Sequence, residues 1–219
     1  MLKAVIFDMD GVIIDSEPLH QKAYYAMFKE VGIVVSDELY DTLRGKSTIN
    51  VCRELIEIFQ LKHSATEMVA IKRQHFDVIF KTDKTFDLIK GVRNIIEDYH
   101  QNGLTLVLAS SASMQTINRI FDRFDLNKYF KAKLSGADLK ASKPHPEIFV
   151  KATQATGFER SECLVIEDAT NGIEAAKSAE LFCIGFESIH SKNQDYRKAD
   201  LVIKSFEEIS FSRIKDILS

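Results

Sequence analysis

The first apolar run of this chain is short and ends on acid: Val5, Ile6 and Phe7 lead into Asp8, Met9, Asp10 and Gly11. A run of that length bounded by a glycine turn predicts a buried strand over residues 3–7. From about residue 16 to residue 84 the pattern changes to helical spacing. Helices are predicted over 20–31, over 49–60 with Ile49, Cys52, Ile56 and Phe59 on one face, and over 67–80 with Met68, Ile71, Phe76 and Ile79 apolar. Gly32 and Gly45 punctuate this block. After Gly91 helices and strands alternate: helix 92–101, strand 104–109, helix 116–124, strand 133–135, helix 146–156, strand 164–167, helix 172–179, strand 182–186, strand 201–203 and helix 206–218. Pro146 falls near a first helical turn, where proline is tolerated. Alternating β and α segments predict a parallel sheet with helices on both faces. The fold class is therefore α/β, a Rossmann-like parallel sheet core, with the helical block inserted after the first strand. The expected domains are a core of residues 1–15 and 88–219 and an α-helical cap of residues 16–87.

Composition narrows the function classes. The chain has 219 residues, 45% of them hydrophobic, enough for a sizeable core in one or two domains. Its net charge is −3 and its basic residues are scattered, so neither nucleic acid nor an acidic membrane surface is an expected partner. Cys52, Cys163 and Cys183 are odd in number and far apart, which is neither a disulfide framework nor a zinc pattern. Free thiols fit a reducing cytoplasm. The apolar run over residues 4–7 is too short for a signal peptide, and Asp8 interrupts it. Nothing calls for an oligomer, so a monomer is the expectation.

The chemistry gathers at predicted strand ends. Asp8 and Asp10 follow the first strand, at the edge where ligands of open α/β sheets bind. A carboxylate at Asp8 could attack phosphorus, and Asp10, two residues on, could protonate a leaving oxygen and then deprotonate water. Acid pairs of this kind also serve as caps and turns. Ser110 follows the strand at 104–109, and Ser110, Ser111, Ala112 and Ser113 offer hydroxyls and N–H groups for an anion, or plain helix capping. Lys143 sits in Ser142-Lys143-Pro144-His145-Pro146, where prolines stiffen the backbone. Glu167 and Asp168 end another strand; they could join Asp8 around Mg²⁺, which takes oxygen ligands, or Asp168 could cap the next helix. A phosphate dianion beside Asp8 is repelled by about 4 kcal/mol per charge pair at about 4 Å and a dielectric of about 20. Mg²⁺ and Lys143 are the cations that would offset it.

In this order the motifs resemble the haloacid dehalogenase (HAD) superfamily. Asp8-Met9-Asp10-Gly11-Val12 matches the first motif, Ser110 the second, Lys143 the third and Glu167-Asp168 the fourth. The flanks also match, over Ser142 to Phe149 and over Ile166-Glu167-Asp168-Ala169-Thr170-Asn171-Gly172-Ile173-Glu174-Ala175-Ala176. The resemblance covers essentially the whole chain and is closest to the subgroup of β-phosphoglucomutases and small-molecule phosphatases with helical caps. It implies a HAD-like core and a mobile lid. It implies Mg²⁺ on Asp8, the Asp10 carbonyl and Asp168 with Glu167 nearby, and Ser110 and Lys143 on the transferring phosphoryl group. Asp10 argues against dehalogenase chemistry, because halide needs no acid.

The cap loop Arg44-Gly45-Lys46-Ser47-Thr48 is the expected substrate-facing segment. Arg44 and Lys46 could hold a second anionic group, and Gly45 and Ser111 join the substrate-binding candidates. Two solvated cations are the plain alternative. By the resemblance, His20 would time acid/base chemistry; His75 and Lys72 are weaker candidates. The mutases carry a distal-phosphate arginine where Thr48 stands here, and a cap lysine that falls near Gln74, beside Lys72 and Arg73. The family commonly has glycine where Glu180 stands. The leading expectation is an Mg²⁺-dependent phosphatase for a small phosphorylated metabolite, a sugar phosphate above all. A β-phosphoglucomutase-type mutase is the alternative, and a phosphometabolite-binding protein on a degenerate core is a third reading.

Overall fold

The computed structural model describes every residue except 44, 45, 189, 190, 192 and 219, and all but the side chain of residue 138. The chain divides into two compact units, Met1–Asp15 with Asp87–Ser219, and Ser16–Phe86.

The first unit begins with β1 (Ala4–Phe7), whose residues are all buried. Its further elements are α5 (Val92–Gln101), β2 (Thr105–Ser110), α6 (Met114–Arg123), β3 (Phe130–Ser135), α7 (Glu147–Thr156), β4 (Cys163–Glu167), α8 (Thr170–Ser178), β5 (Phe182–Phe186), β6 (Leu201–Ile203) and α9 (Phe211–Ile217); α1 to α4 belong to the second unit. The strands form one six-stranded sheet in the order β3-β2-β1-β4-β5-β6. Every pairing is parallel. The chain builds outward from β1 to β3 on one side, then returns to β4 and builds outward on the other. The order therefore reverses between β1 and β4, and ligands of such sheets bind beyond the strand ends at this reversal.

Both faces of the sheet are covered, as purely parallel sheets require. On one face Ala4, Ile6, Val107, Val165 and Cys183 pack against Ile148, Phe149 and Ala152 of α7 and Ile173 and Ala176 of α8. On the other, Phe7 meets Tyr99 of α5 and Phe130, which in turn meets Phe121 of α6 edge-on. Phe7 is fully buried, a contribution of about 1.5–3 kcal/mol. The three cysteines are free and buried.

The second unit is helical: α1 (Glu17–Glu30), α2 (Asp37–Leu43), α3 (Thr48–Phe59) and α4 (Ala65–Thr82). Its core gathers Tyr24, Met27, Phe28, Tyr40, Leu43, Val51, Cys52, Leu55 and Met68. Pro18 sits in the first turn of α1, and a Ser64–Glu67 capping box opens α4. No described helix is long and apolar enough to cross a membrane.

Several elements differ from the periodicity. α2 was not expected; it is seven residues long, too short to show a repeat, and begins where Ser36 accepts from the Leu39 N–H. The buried positions of α3 are Val51, Cys52 and Leu55, whereas Ile49, Ile56 and Phe59 are only partly covered. β3 starts at Phe130 rather than 133, because the strand carries Lys131 and Lys133, whose ammonium groups bond to Thr156 O and to Asn118 and Asn127. The helix expected over 206–218 is broken. A 3-10 turn covers Phe206–Ile209, Ser210 is extended, and α9 starts at Phe211, whose N–H donates to Asp98.

Candidate active site

Asp8 stands one residue past β1, with its N–H on Ile166 O of the neighbouring β4 at 3.0 Å. This places its side chain at the sheet's reversal point, buried to 6% exposure. Glu167 ends β4 and is buried, and Asp168 follows it. Lys143 reaches between them. Its Nζ donates to Asp8 Oδ1 at 2.6 Å, to Glu167 Oε1 at 2.6 Å and to Ala109 O at 3.3 Å, and lies 4.8 Å from the centre of the Phe149 ring. Glu167 Oε2 also accepts from the Ala169 N–H at 2.9 Å. Three loop and strand termini, distant in sequence, thus meet at one buried cation.

Two glycines make room for the acids. A methyl at Gly11 would overlap the Asp168 carboxylate, and φ there is +89°, a conformation side chains rarely adopt. A methyl at Gly172 would overlap the Glu167 carboxylate. Gly11 belongs to a tight turn in which its N–H donates to Ile14 O at 2.7 Å, and the Ile13 and Ile14 N–H groups return to Met9 O. Asp10 is exposed on this turn.

Oxygens of Asp8, Glu167 and Asp168 lie within 4.8 Å of one another. Three acids at that spacing disfavour full ionisation. Burial raises the Asp8 carboxyl well above the usual range; Lys143 opposes this, and Glu167 and Asp168 add to it. Burial, then the charge of Glu167, lifts Asp168 from 3.8 to about 7, and Asp10 contributes. For Lys143, burial alone would lower the ammonium's pKa, but Asp8 and Glu167 outweigh it and the pKa stands above the usual lysine range. Fully ionised, three clustered carboxylates would outweigh the Lys143 ammonium, so the site gains from a further cation. An all-oxygen donor set of this kind fits a hard divalent cation such as Mg²⁺.

Ser110 ends β2, is buried, and accepts from the Ala112 N–H at 3.1 Å; its neighbour Ala109 supplies the carbonyl that Lys143 touches. Ser111 is exposed, and Ser113 is the residue that caps α6. The position next to α8 that would cap it is Ala169, with no side-chain bond, so Asp168 is not spent as a helix cap.

The helical unit has a cavity of its own, about 210 Å³, lined among others by Glu17, His20, Tyr40, Thr48 and Lys72. Lys72 is buried, and its ammonium donates to His20 Nδ1 at 2.7 Å and lies over the Tyr24 and Phe76 rings. Burial lowers Lys72 from 10.5 to about 8, with Glu17 opposing. Burial and then Lys72 lower His20 to about 4, so its ring is the neutral acceptor. His20 is stacked on Phe76. Lys46 also lines the cavity but is ion-paired with Glu54. His75 pairs with Glu30. Arg44 and Gly45 lie outside the described residues. Lys72, a weaker candidate by sequence, is the buried cation here. The signal was a lysine four positions after Met68 on an apolar face.

A family model for haloacid dehalogenase-like hydrolases matches residues 5–186. The chain belongs to that family and is an enzyme of its hydrolase type. Hexitol phosphatase B of Escherichia coli is 30% identical over 218 residues, covering 98% of this chain and 96% of that protein. A phosphorylated carbohydrates phosphatase of Thermotoga maritima is 32% identical over 195 residues, 88% of each chain. A solved structure of a proposed β-phosphoglucomutase from Thermotoga maritima has a TM-score of 0.86 at 29% identity, covering 99% of this chain and 100% of that one.

Proposed function

We propose that this enzyme is an Mg²⁺-dependent phosphatase acting on the phosphate monoester of a small polyhydroxylated metabolite, a sugar or sugar-alcohol phosphate. The observation that carries the proposal is the buried group of Asp8, Lys143, Glu167 and Asp168 at the sheet's reversal point. The names of the two phosphatase relatives support the substrate class.

Asp8 is the nucleophile. Its carboxylate oxygen bonds to phosphorus while the ester P–O bond breaks, giving an aspartyl-phosphate. Asp10 gives its proton to the departing alkoxide. It then takes a proton from water, whose oxygen attacks the phosphorus and returns Asp8 and inorganic phosphate. Lys143, held on Asp8 and Glu167, offsets charge on the phosphoryl oxygens. The Ser110 hydroxyl and the Ser111 N–H hold that group in place. Asp8, Asp168 and the Asp10 carbonyl would hold Mg²⁺, with Glu167 beside them. When bound, Mg²⁺ supplies positive charge at the phosphoryl group.

The helical unit is assigned the role of cap. His20, Lys72 and Lys46, with Arg44 and Gly45, are the groups proposed to select the part of the substrate away from its phosphate. The mutase alternative is favoured by the TM-score of 0.86 to the proposed β-phosphoglucomutase. Against it, Lys46 already pairs with Glu54, and Thr48 stands where the mutases carry arginine. Inorganic phosphate release from a panel of sugar, sugar-alcohol, nucleotide and short-chain phosphates, with Mg²⁺ and with chelator, tests the proposal. Mg²⁺-dependent release is expected. Conversion of β-glucose 1-phosphate into glucose 6-phosphate without release would replace it with the mutase.

A further inference from the structure

One oxygen of Asp168 is already engaged. Ser191 Oγ donates to Asp168 Oδ2 at 2.6 Å. The whole Asp168 carboxylate occupies the space that the missing Cβ of Gly11 leaves open. The Ser191 hydroxyl thus holds Oδ2, and Oδ1 is the oxygen left to face a ligand. A carboxylate free to rotate would lose rotamer freedom on binding a cation; one held by a hydroxyl has lost it already.

Ser191 is itself tied down. It comes from the polar stretch between β5 and β6, in which no sequence motif falls. The Ser188 hydroxyl is 3.3 Å from its own, and the Ser191 N–H donates to Ser188 O at 3.1 Å. Further along, Gln194 Oε1 accepts from both the N–H and the hydroxyl of Thr170, at 2.8 and 3.0 Å, and the Asp195 N–H donates to Thr170 Oγ1 at 2.7 Å. Thr170 opens α8, two residues after Asp168. The stretch therefore grips the turn that carries Asp168 at two places, one on the acid itself and one just beyond it. A serine that only solvated a spare carboxylate oxygen would not need that second anchor.

We infer that Ser191 is a positioning residue for the divalent-cation site, holding the Asp168 carboxylate by Oδ2 so that Oδ1 is presented to the ion. The inference rests on the proposed role of Asp8, Glu167 and Asp168 as that site. Ser191 acts through the Asp168 carboxylate that it holds, so its removal is expected to act on ion affinity and to leave the chemical step intact once the ion is bound.

Calorimetric titration of the full chain with Mg²⁺, beside the Mg²⁺ dependence of phosphate release, tests this. Ser191→Ala is expected to weaken Mg²⁺ binding by about 10- to 100-fold, with kcat at saturating Mg²⁺ within about twofold of the parent. Ser191→Thr keeps the hydroxyl and is expected to restore affinity to within about threefold, and Ser191→Cys, a weaker donor of similar size, to fall between. Thermal unfolding without Mg²⁺ checks that each variant is folded. An Mg²⁺ affinity of Ser191→Ala within about twofold of the parent overturns the inference, as does a kcat loss that saturating Mg²⁺ does not recover. So does a Ser191→Thr variant as weak as Ser191→Ala. Asp168→Asn separates the two levels. If it loses Mg²⁺ while Ser191→Ala does not, the cation site stands and only the role of Ser191 falls. If Asp168→Asn binds Mg²⁺ as the parent does, the cation site itself is refuted.

Discussion

Replacing Lys143 by methionine removes the ammonium that joins Asp8 to Glu167 while keeping most of the side-chain volume. The side chains of Lys143, Asp8 and Glu167 are 5%, 9% and 2% exposed, so solvent screens these contacts little. At 2.6 Å and an effective dielectric of about 20, each contact is worth about 6 kcal/mol of attraction. Repulsion among the acids, about 3–4 kcal/mol per pair near 4.8 Å, becomes unopposed in the variant. The chain need not bear that whole sum, because a buried carboxylate takes up a proton instead. The net cost of breaking such a pair is about 3–5 kcal/mol. Urea unfolding of Lys143→Met in chelator, at about pH 8, should show that loss. The loss should shrink toward about pH 5, where the acids protonate more easily, and in saturating Mg²⁺, which restores positive charge. Glu167→Gln in the Lys143→Met background should return part of the stability but none of the activity. Phosphate release should fall by at least about 100- to 1,000-fold. A variant within about 1 kcal/mol of the parent, or within about tenfold of its activity, refutes the electrostatic account.

In the helical unit, Lys72→Met should stabilise the chain at neutral pH by about 1–2 kcal/mol, since it removes a buried ammonium, while lowering activity on the physiological substrate. Folded Lys72 loses its proton at about 8 and the unfolded lysine at 10.5, so between those values the unfolded chain binds more protons. Parent stability should therefore rise by about 3 kcal/mol across that window, and the variant, followed by denaturant midpoints against pH, should lack the rise. For Asp168, native without Mg²⁺, the carboxyl keeps its proton up to about 7, against 3.8 unfolded. Metal-free stability should accordingly fall as pH rises through that window, and Mg²⁺ binding below about pH 7 should expel a proton. Identical binding enthalpies at about pH 6 in buffers of different ionisation enthalpy would contradict this. Gly172→Ala should push the Glu167 carboxylate off Lys143, costing about 1–3 kcal/mol and most of the activity; an unperturbed denaturant midpoint would show the site relaxes freely.

The sheet was legible because its strands are buried on both faces and read as unbroken apolar runs, with Val5, Ile6 and Phe7 the clearest case. Where polar residues interrupt, the reading weakens. The lysines of β3 hid its first three residues, and the seven-residue α2 has too few turns to show a period. The acids and Lys143 were visible as strand-end and proline-flanked motifs, but their meeting at one ammonium depends on pairings that no local pattern encodes. Ser191 carried no signal, since a serine in a polar loop is indistinguishable from its neighbours until the loop is placed. Glu180 shows a substitution with a local consequence. It adopts φ +60°, a conformation that favours glycine, and makes an ion pair with Arg160.

The central claim is that Asp8 is phosphorylated during turnover. Rapid quenching of the enzyme with its best substrate and Mg²⁺, followed by borohydride reduction and peptide mass spectrometry, tests it directly. An aspartyl-phosphate at Asp8 is reduced to homoserine, so the peptide carrying residue 8 should show homoserine there only when substrate and Mg²⁺ are both present, and never in Asp8→Asn. Steady turnover with an unmodified Asp8 peptide, or an Asp8→Asn variant that still releases phosphate, would contradict the covalent mechanism.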